Sequence, residues 1–254
     1  MSDISLARRD GVLAIEFRRP QKKNALTAAM YEAMTAALAE ADADDGVRVL
    51  LFHGQPEVFT AGNDLEDFMA RPPASVDAPV FRFLQSVCAA RKPLVAAVNG
   101  PAVGLGTTLL LHCDLVYAGD NARFSMPFTS LGLVPEFASS YLLPMIAGYQ
   151  RAAELLLLGQ PFTAEKAREV GIVSEVVSPE KLMERATQAC EALAALPPES
   201  IRLTKSLMKK RHAAQVRETI AEEIKLFGER LGSAEAKEAM SAFLEKRKPD
   251  FSKF

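Results

Sequence analysis

The sequence predicts an α/β core followed by a helical C-terminal region. Three observations carry that prediction. Short apolar runs of strand length alternate with amphipathic stretches of helix length through the first 180 residues. Several of those runs are apolar at nearly every position, as strands buried on both faces are. From Pro179 onward helix-forming residues dominate, broken at Pro197-Pro198, at Gly228 and near Gly232. The 254 residues suit one large domain or a domain with an appendage. The reading divides them into a core over 1–195 and a helical region over 196–254, which can pack back on the core.

The elements follow in order. VLAIEFRRP (12–20) reads as a strand ending at Pro20. Residues 27–44 have helical spacing, with Met30, Met34, Ala37 and Leu38 on one stripe and Thr27 as the cap. VRVLLFHG (47–54) reads as a buried strand. The polar, proline-rich stretch 71–79 suits a mobile loop over a site. A helix is expected over 80–92, a buried strand over 93–100, a short helix over 105–114, a strand over 115–119 and a further strand within 122–127. Helices over 151–159 and 164–171 end at Gly159 and Gly171, and 172–179 is strand-like.

Composition excludes several classes. A net charge of −2 gives no bulk electrostatic case for nucleic acid or a membrane surface. Cys88, Cys113 and Cys190 are scattered and odd in number, and the three histidines are scattered too. Neither a disulfide framework nor a metal site is expected, and the cysteines suit a reducing compartment as small buried groups. The N-terminal residues lack a signal peptide's apolar core and the last residues, FSKF, are no peroxisomal address, so a cytoplasmic, bacterial setting is expected. Residues 94–113 are strongly apolar. Asn99, Pro101, three glycines and two threonines interrupt them, so they read as strand, turn and helix rather than a membrane span.

Two loops, each after a buried strand, carry candidate chemistry. The first is Phe59-Thr60-Ala61-Gly62-Asn63-Asp64-Leu65 and the second runs from Asn99 to Thr107. Gly62 and Gly104 permit turns that other residues resist. Asn63 and Leu105, next in sequence, can then present backbone N–H groups at helix starts, where donors lack partners. Two such donors converging form an oxyanion hole. Ordinary strand-to-helix turns are the alternative. Glu136 is a lone carboxylate in the apolar segment Met126–Tyr141. Burial there would raise its pKa and suit it to proton transfer; the alternative places it in the first turn of a helix. The histidines are not promoted: His53 ends a strand, and His112 beside Cys113 does not make a nucleophilic pair. The basic run Lys205–His212 reads as a solvated helix face.

Together these segments resemble the crotonase superfamily, the enoyl-CoA hydratase/isomerase family. The likeness extends from Arg19-Pro20-Gln21-Lys22-Lys23-Asn24-Ala25-Leu26, through both glycine loops and Cys113-Asp114, to Phe243-Leu244-Glu245-Lys246-Arg247-Lys248. It implies a spiral of ββα units, a helical trimerisation region, and homotrimers or dimers of trimers. It also implies an acyl-coenzyme A thioester as substrate, with coenzyme A its only cofactor-like part, a setting in fatty-acid β-oxidation, and enolate stabilisation by the backbone N–H groups of Asn63 and Leu105. Hydratases of the family place glutamates where this chain has Thr108 and Phe128. The segment around Glu136 resembles instead the peroxisomal-type Δ3,Δ2-enoyl-CoA isomerases and their bacterial relatives, in which a glutamate at that position is the single base. A hydratase or other thioester enzyme of the same fold, or an inactive binding module, are the alternatives. Phe128 is expected to exclude water. The resemblance lines the coenzyme A path with Ala25, Ala61, Gly62, Asp64, Leu65 and Gly104. It brings Lys22 or Lys23 to the phosphates, and Phe243 and Lys246 in from a neighbouring subunit.

Overall fold

The computed structural model describes residues 3–70 and 77–254. Strands β1 (Ile4–Arg9) and β2 (Val12–Phe17) form an antiparallel hairpin. Its turn is Asp10-Gly11, both at positive φ, the residue pair that a tight hairpin favours. Sequence reading did not anticipate β1, although Asp-Gly is the signal for it. Helix α1 (Ala28–Ala43) is capped by the Thr27 hydroxyl, which accepts from the N–H of Met30, and it buries the expected stripe. Then come β3 (Val49–His53), α2 (Leu65–Ala70), α3 (Pro79–Ala89), β4 (Leu94–Val98), β5 (Pro101–Val103), α4 (Leu105–Thr108), β6 (Leu115–Gly119) and β7 (Arg123–Ser125). Of the stretch expected as a mobile loop, residues 71–76 lie outside the described residues, and Pro79 opens α3.

The chain continues through α5 (Ser139–Ala147), α6 (Tyr149–Leu158), β8 (Phe162–Thr163), α7 (Ala164–Glu169), β9 (Glu175–Val177), α8 (Leu182–Ala195), α9 (Pro198–Lys210), α10 (Ala213–Leu231) and α11 (Ala234–Leu244). Short 3-10 turns lie at Leu109–His112 and Thr129–Leu131. Six strands make one sheet in the order β1-β2-β3-β4-β6-β9, and β5-β7-β8 make a second. Beyond the hairpin the large sheet is parallel. Strand β4 leads through two residues into β5 of the small sheet, and β6 leads through three into β7. The chain thus lays one strand in each sheet per turn, the ββα spiral.

Both faces of the large sheet are covered, which explains its near-continuous apolar strands. Leu50, Phe52, Leu94 and Ala96 face the main core with α1 and α3. Val49, Leu51, Val95 and Ala97 face a second cluster with Leu182, Ala186 and Cys190 of α8. Residues 94–113 fold as strand, strand and helix, and among the described residues no helix is long and apolar enough to cross a membrane.

The C-terminal helices depart from expectation in two places. Helix α10 runs straight through Gly228, because Ile220 and Phe227 bury one face of it and packing offsets the glycine's cost of about 1 kcal/mol. The break falls instead at Arg211-His212. Lys205 is buried, not solvated. Its ammonium lies 2.8 Å from Asp114 and donates to the carbonyl of Lys92, which compensates its charge. Helix α10 packs on α5, and α11 packs on the 3-10 turn Thr129–Leu131, so the helical region lies over the chain's own core.

Candidate active site

The first glycine loop is tied to the segment that precedes α1. Arg19 sits 2.5 Å from the buried carboxylate of Asp64, and it also donates to the carbonyl of Ala25. Asn24, wholly buried, accepts from the N–H of Arg19 and donates to the carbonyls of Val58 and Phe59. The Thr60 hydroxyl donates to the carbonyl of Asn24. Backbone bonds run from Ala61 to Lys23, from Leu26 to Gly62 and from Asp64 to Leu26. The Arg-Pro-x-x-x-Asn-Ala-Leu motif is therefore a clamp on the loop that follows β3.

That loop is in turn joined to the second. Thr60 bridges Ala102 in parallel, with the N–H of Thr60 on the carbonyl of Pro101 and the N–H of Val103 on that of Thr60. The approach is close at Gly62. A Cβ there would lie 2.6 Å from the carbonyl oxygen of Val103, and its φ of 82° disfavours any side chain. Gly104, at φ 54° and ψ −117°, caps α4 and leaves Leu105 as its first residue. Among the described residues, neither the N–H of Asn63 nor that of Leu105 has an acceptor. The N-terminal amides of a helix are such orphans. Asn63 itself stands two residues ahead of α2 rather than at its start.

Glu136 is buried, and its Oε1 has no hydrogen-bond partner. Burial, reinforced by the charge of Glu223, pushes its carboxyl up to about 8, against a smaller downward pull from the Thr108 hydroxyl. It does not sit in a helix's first turn. It lies ahead of α5, followed by Phe137 and Ala138 in the left-handed conformation. Thr108 thus stands beside Glu136. Phe128 is buried in the core.

Tyr31 links the two halves. Its hydroxyl donates to Oδ1 of Asn63. Burial first, then the charges of Glu136 and Asp67, hold its phenol neutral, well above the usual range. Sequence reading passed over Tyr31, although a tyrosine beside the buried stripe of α1 is a usable signal. It also passed over Glu223, and it weighed His112 without promoting it. His112 donates from Nε2 to the carbonyl of Phe137 at 2.7 Å and stacks on its ring. Burial holds its imidazole down at about 3, so it is neutral. Cys88 is 3.6 Å from Nδ1 of His112, but burial lifts its thiol to about 11, which leaves no thiolate nucleophile.

The remaining site candidates fall around the first loop and at the C-terminus. Every polar group of Asp64 is engaged: its N–H on Leu26, its carbonyl with Phe68, and its carboxylate with Arg19 and the N–H of Asp67. These bonds give Asp64 a structural role in the clamp. Lys22 is exposed and pairs with Glu66 at 3.2 Å. Lys23 is exposed beside it, while Ala25, Ala61 and Leu65 are half-buried along the clamp. Phe243 is 61% exposed on α11, and Lys246 is exposed just beyond it. Among the described residues no cluster of three or more His, Cys, Asp or Glu side chains could hold a metal ion.

Two interlocked strand-to-helix loops with free amides, together with a buried carboxyl shifted toward neutrality, mark the candidate site of an α/β protein of the spiral ββα class. The chain belongs to the enoyl-CoA hydratase/isomerase family, whose model matches residues 7–253. It is 37% identical over 245 residues to human enoyl-CoA delta isomerase 2, covering 94% of this chain but only 62% of that protein. It is 32% identical to the 2,3-dehydroadipyl-CoA hydratase of Escherichia coli, over 99% of both chains. The solved structure of Pseudomonas aeruginosa OdaA superposes with a TM-score of 0.93 at 48% identity, over 96% of this chain and 99% of that one.

Proposed function

We propose that this protein is a Δ3,Δ2-enoyl-CoA isomerase with Glu136 as its single acid/base group. The observation that carries the reading is Glu136 itself, a buried carboxyl at about 8 with an unpartnered oxygen. A base poised near neutrality can both take and return a proton. The positions that hold the hydratases' glutamates carry Thr108 and Phe128, which supply no second carboxylate to activate water.

In the proposed reaction, Glu136 takes a proton from C2 of a 3-enoyl-CoA. The C–H electron pair moves into a dienolate, whose negative charge rests on the thioester oxygen. The N–H groups of Asn63 and Leu105 hold that oxygen. The proton then returns from Glu136 to C4, the double bond settles at C2–C3, and the carboxylate is restored. No cofactor is needed beyond the coenzyme A of the substrate. A cavity of about 630 Å³ between α3, α5, α9 and α10, lined by Leu111, Leu142, Ile220 and Ile224 and also by the charged Lys209 and Arg217, has room for an acyl chain. Lys22 and Lys23, and Phe243 and Lys246 from a neighbouring subunit, are proposed contacts for the coenzyme A moiety. A homotrimer fits the exposed apolar side chains of α6 and α9, among them Leu157, Leu158, Leu207 and Met208. Light scattering after size exclusion would read its mass.

The test is an assay with trans-3-hexenoyl-CoA and, separately, trans-2-hexenoyl-CoA. Isomerisation of the first, little hydration of the second, and a loss of about 10²-fold or more in Glu136→Gln are expected. Conversion of neither substrate, or an unaffected mutant, overturns the reading.

A further inference from the structure

Glu136 is followed by two consecutive non-glycine residues in the left-handed conformation, Phe137 at φ 61° and Ala138 at φ 54°. Such backbone persists only where its surroundings over-determine it. Three side chains hold this turn. The Ser139 hydroxyl donates to the carbonyl of Glu136 at 2.6 Å, and His112 holds the carbonyl of Phe137. The third is Glu223, which arrives from α10, 85 residues further along the chain. Its Oε2 accepts from the N–H of Ala138 at 2.6 Å. Its Oε1 accepts from the N–H of Ser140 at 3.1 Å and from the Ser140 hydroxyl at 2.6 Å.

Helix α5 has no side-chain cap of its own; Ala138 stands at that position. Glu223 takes over the task from a distance, satisfying orphan donors at the positive end of the helix. We propose that Glu223 is a positioning residue for proton transfer by Glu136, acting from α10 through the Phe137–Ala138 turn and not on the substrate. The proposal rests on the reading of Glu136 as the base.

The two buried carboxyls differ in what surrounds them. Burial raises the carboxyl of Glu223, and its three hydrogen bonds oppose that rise by stabilising the charged form. Glu136 has an oxygen that receives none. The asymmetry favours the negative charge on Glu223 over Glu136, the arrangement that separates a base from its neighbour. Among the other titratable groups nearby, the charge of Glu222, the preceding residue on α10, adds a smaller upward push on Glu223. Tyr31, from α1, is held neutral by burial and by the charges of Glu136 and Asp67. His112, against Phe137, is held neutral by burial.

The experiment compares wild type, Glu223→Gln and Glu223→Asp by the pH profile of kcat/KM on trans-3-hexenoyl-CoA, with folding checked by circular dichroism. In parallel, infrared spectroscopy follows the carbonyl stretch of protonated Glu136, identified by its loss in Glu136→Gln. Glutamine keeps the length of Glu223 but removes its charge and one acceptor. Its acid-side limb and its carbonyl-band midpoint are expected to move to lower pH by about one unit, and its plateau to fall about tenfold. Aspartate keeps the charge, so its limb stays near that of wild type while its plateau falls. An unchanged profile in Glu223→Gln overturns the proposal. So does a lower plateau with neither limb nor band moved, which is what a merely structural residue gives. If wild type fails to convert the 3-enoyl substrate, the isomerase reading fails and the infrared titration alone decides: a shifted midpoint supports the role of Glu223, and an unmoved one overturns it.

Discussion

The two halves of the site are built in opposite ways. The proposed oxyanion half is held by backbone: residues 23–26, 58–64 and 101–105 exchange main-chain hydrogen bonds, and the side chains of Arg19, Asn24 and Thr60 bind main-chain groups within the same segments. The base half is held by side chains from elsewhere. Glu136 lies in a stretch without regular structure, and Ser139, His112 and Glu223 fix the turn after it. The first design fixes N–H vectors, which have to point correctly whatever the substrate. The second tunes a carboxyl's affinity for a proton, which depends on charge and burial more than on orientation. If that contrast is right, damage to the first half should cost stability and activity together. Damage to the second should alter the pH dependence first.

The largest effect is expected at the clamp. Arg19→Ala strands the buried carboxylate of Asp64, and loss of one partner from a buried ion pair costs about 3–5 kcal/mol. Burial raises the carboxyl of Asp64, but Arg19 and the neighbouring amides outweigh it and the net shift is downward. A lowered carboxyl stabilises the fold above its unfolded pKa, about 4. That contribution is lost as pH falls through the folded value. Denaturant melts of wild type and mutant should therefore differ most near neutrality and converge in acid. Equal melts at pH 7 would break the idea of a clamp.

Gly62→Ala comes next. The new Cβ would meet the Val103 carbonyl oxygen at 2.6 Å in a backbone conformation that costs alanine about 1–3 kcal/mol. The amide of Asn63 follows Gly62 directly, so a loss of about 10²-fold in kcat is expected alongside the lower melting point. A stable but inactive mutant would separate the two losses and weaken the comparison.

The sequence made the first half legible and left much of the second obscure, for the same physical reason. Backbone geometry is written locally. Gly62, Gly104, Asn24 and Arg19 stand in short motifs because nearby residues must adopt the turns and fill the hydrogen bonds. The alternation of strands and helices is local as well, and even the unanticipated β1 had its signal in Asp10-Gly11. A pKa is written in three dimensions. Glu136 stood out as a carboxylate in an apolar segment, but Glu223 is one acidic residue among many on a charged helix. Only its place between Ile220 and Phe227 on the buried face distinguishes it. Lys205 was read as solvated for a similar reason: its partner Asp114 is 91 residues away in the chain.

The base half makes its own prediction. With the Glu136 carboxyl at about 8 and the ionised form active, kcat/KM should rise with pH and reach half its plateau near that value. The same shift acts on stability with the opposite sense. A carboxyl raised in the folded state stabilises the fold below its unfolded pKa, and that advantage is lost as pH rises through the folded value. Wild type should thus lose stability relative to Glu136→Gln from about pH 4 until about pH 8, then level off. A rate limb near pH 4, the ordinary carboxylate range, would mean that the apolar surroundings do not govern Glu136.

The smallest effect is expected where the halves meet. Tyr31→Phe removes the hydroxyl that donates to Oδ1 of Asn63 and leaves the ring packed against Phe83. The net worth of one such hydrogen bond is about 0.5–1.5 kcal/mol, so kcat should fall about threefold to tenfold. The phenol is neutral throughout the working range, so its loss should leave the pH limb of Glu136 in place. Combining Tyr31→Phe with Asn63→Ala then sharpens the comparison. If the tyrosine acts through the Asn63 side chain, the double mutant should be no slower than the slower single mutant, because both changes remove one bond. Additive losses would instead show that Tyr31 acts on the substrate or on Glu136 directly, and the boundary between the backbone-built and side-chain-built halves would have to be redrawn around it.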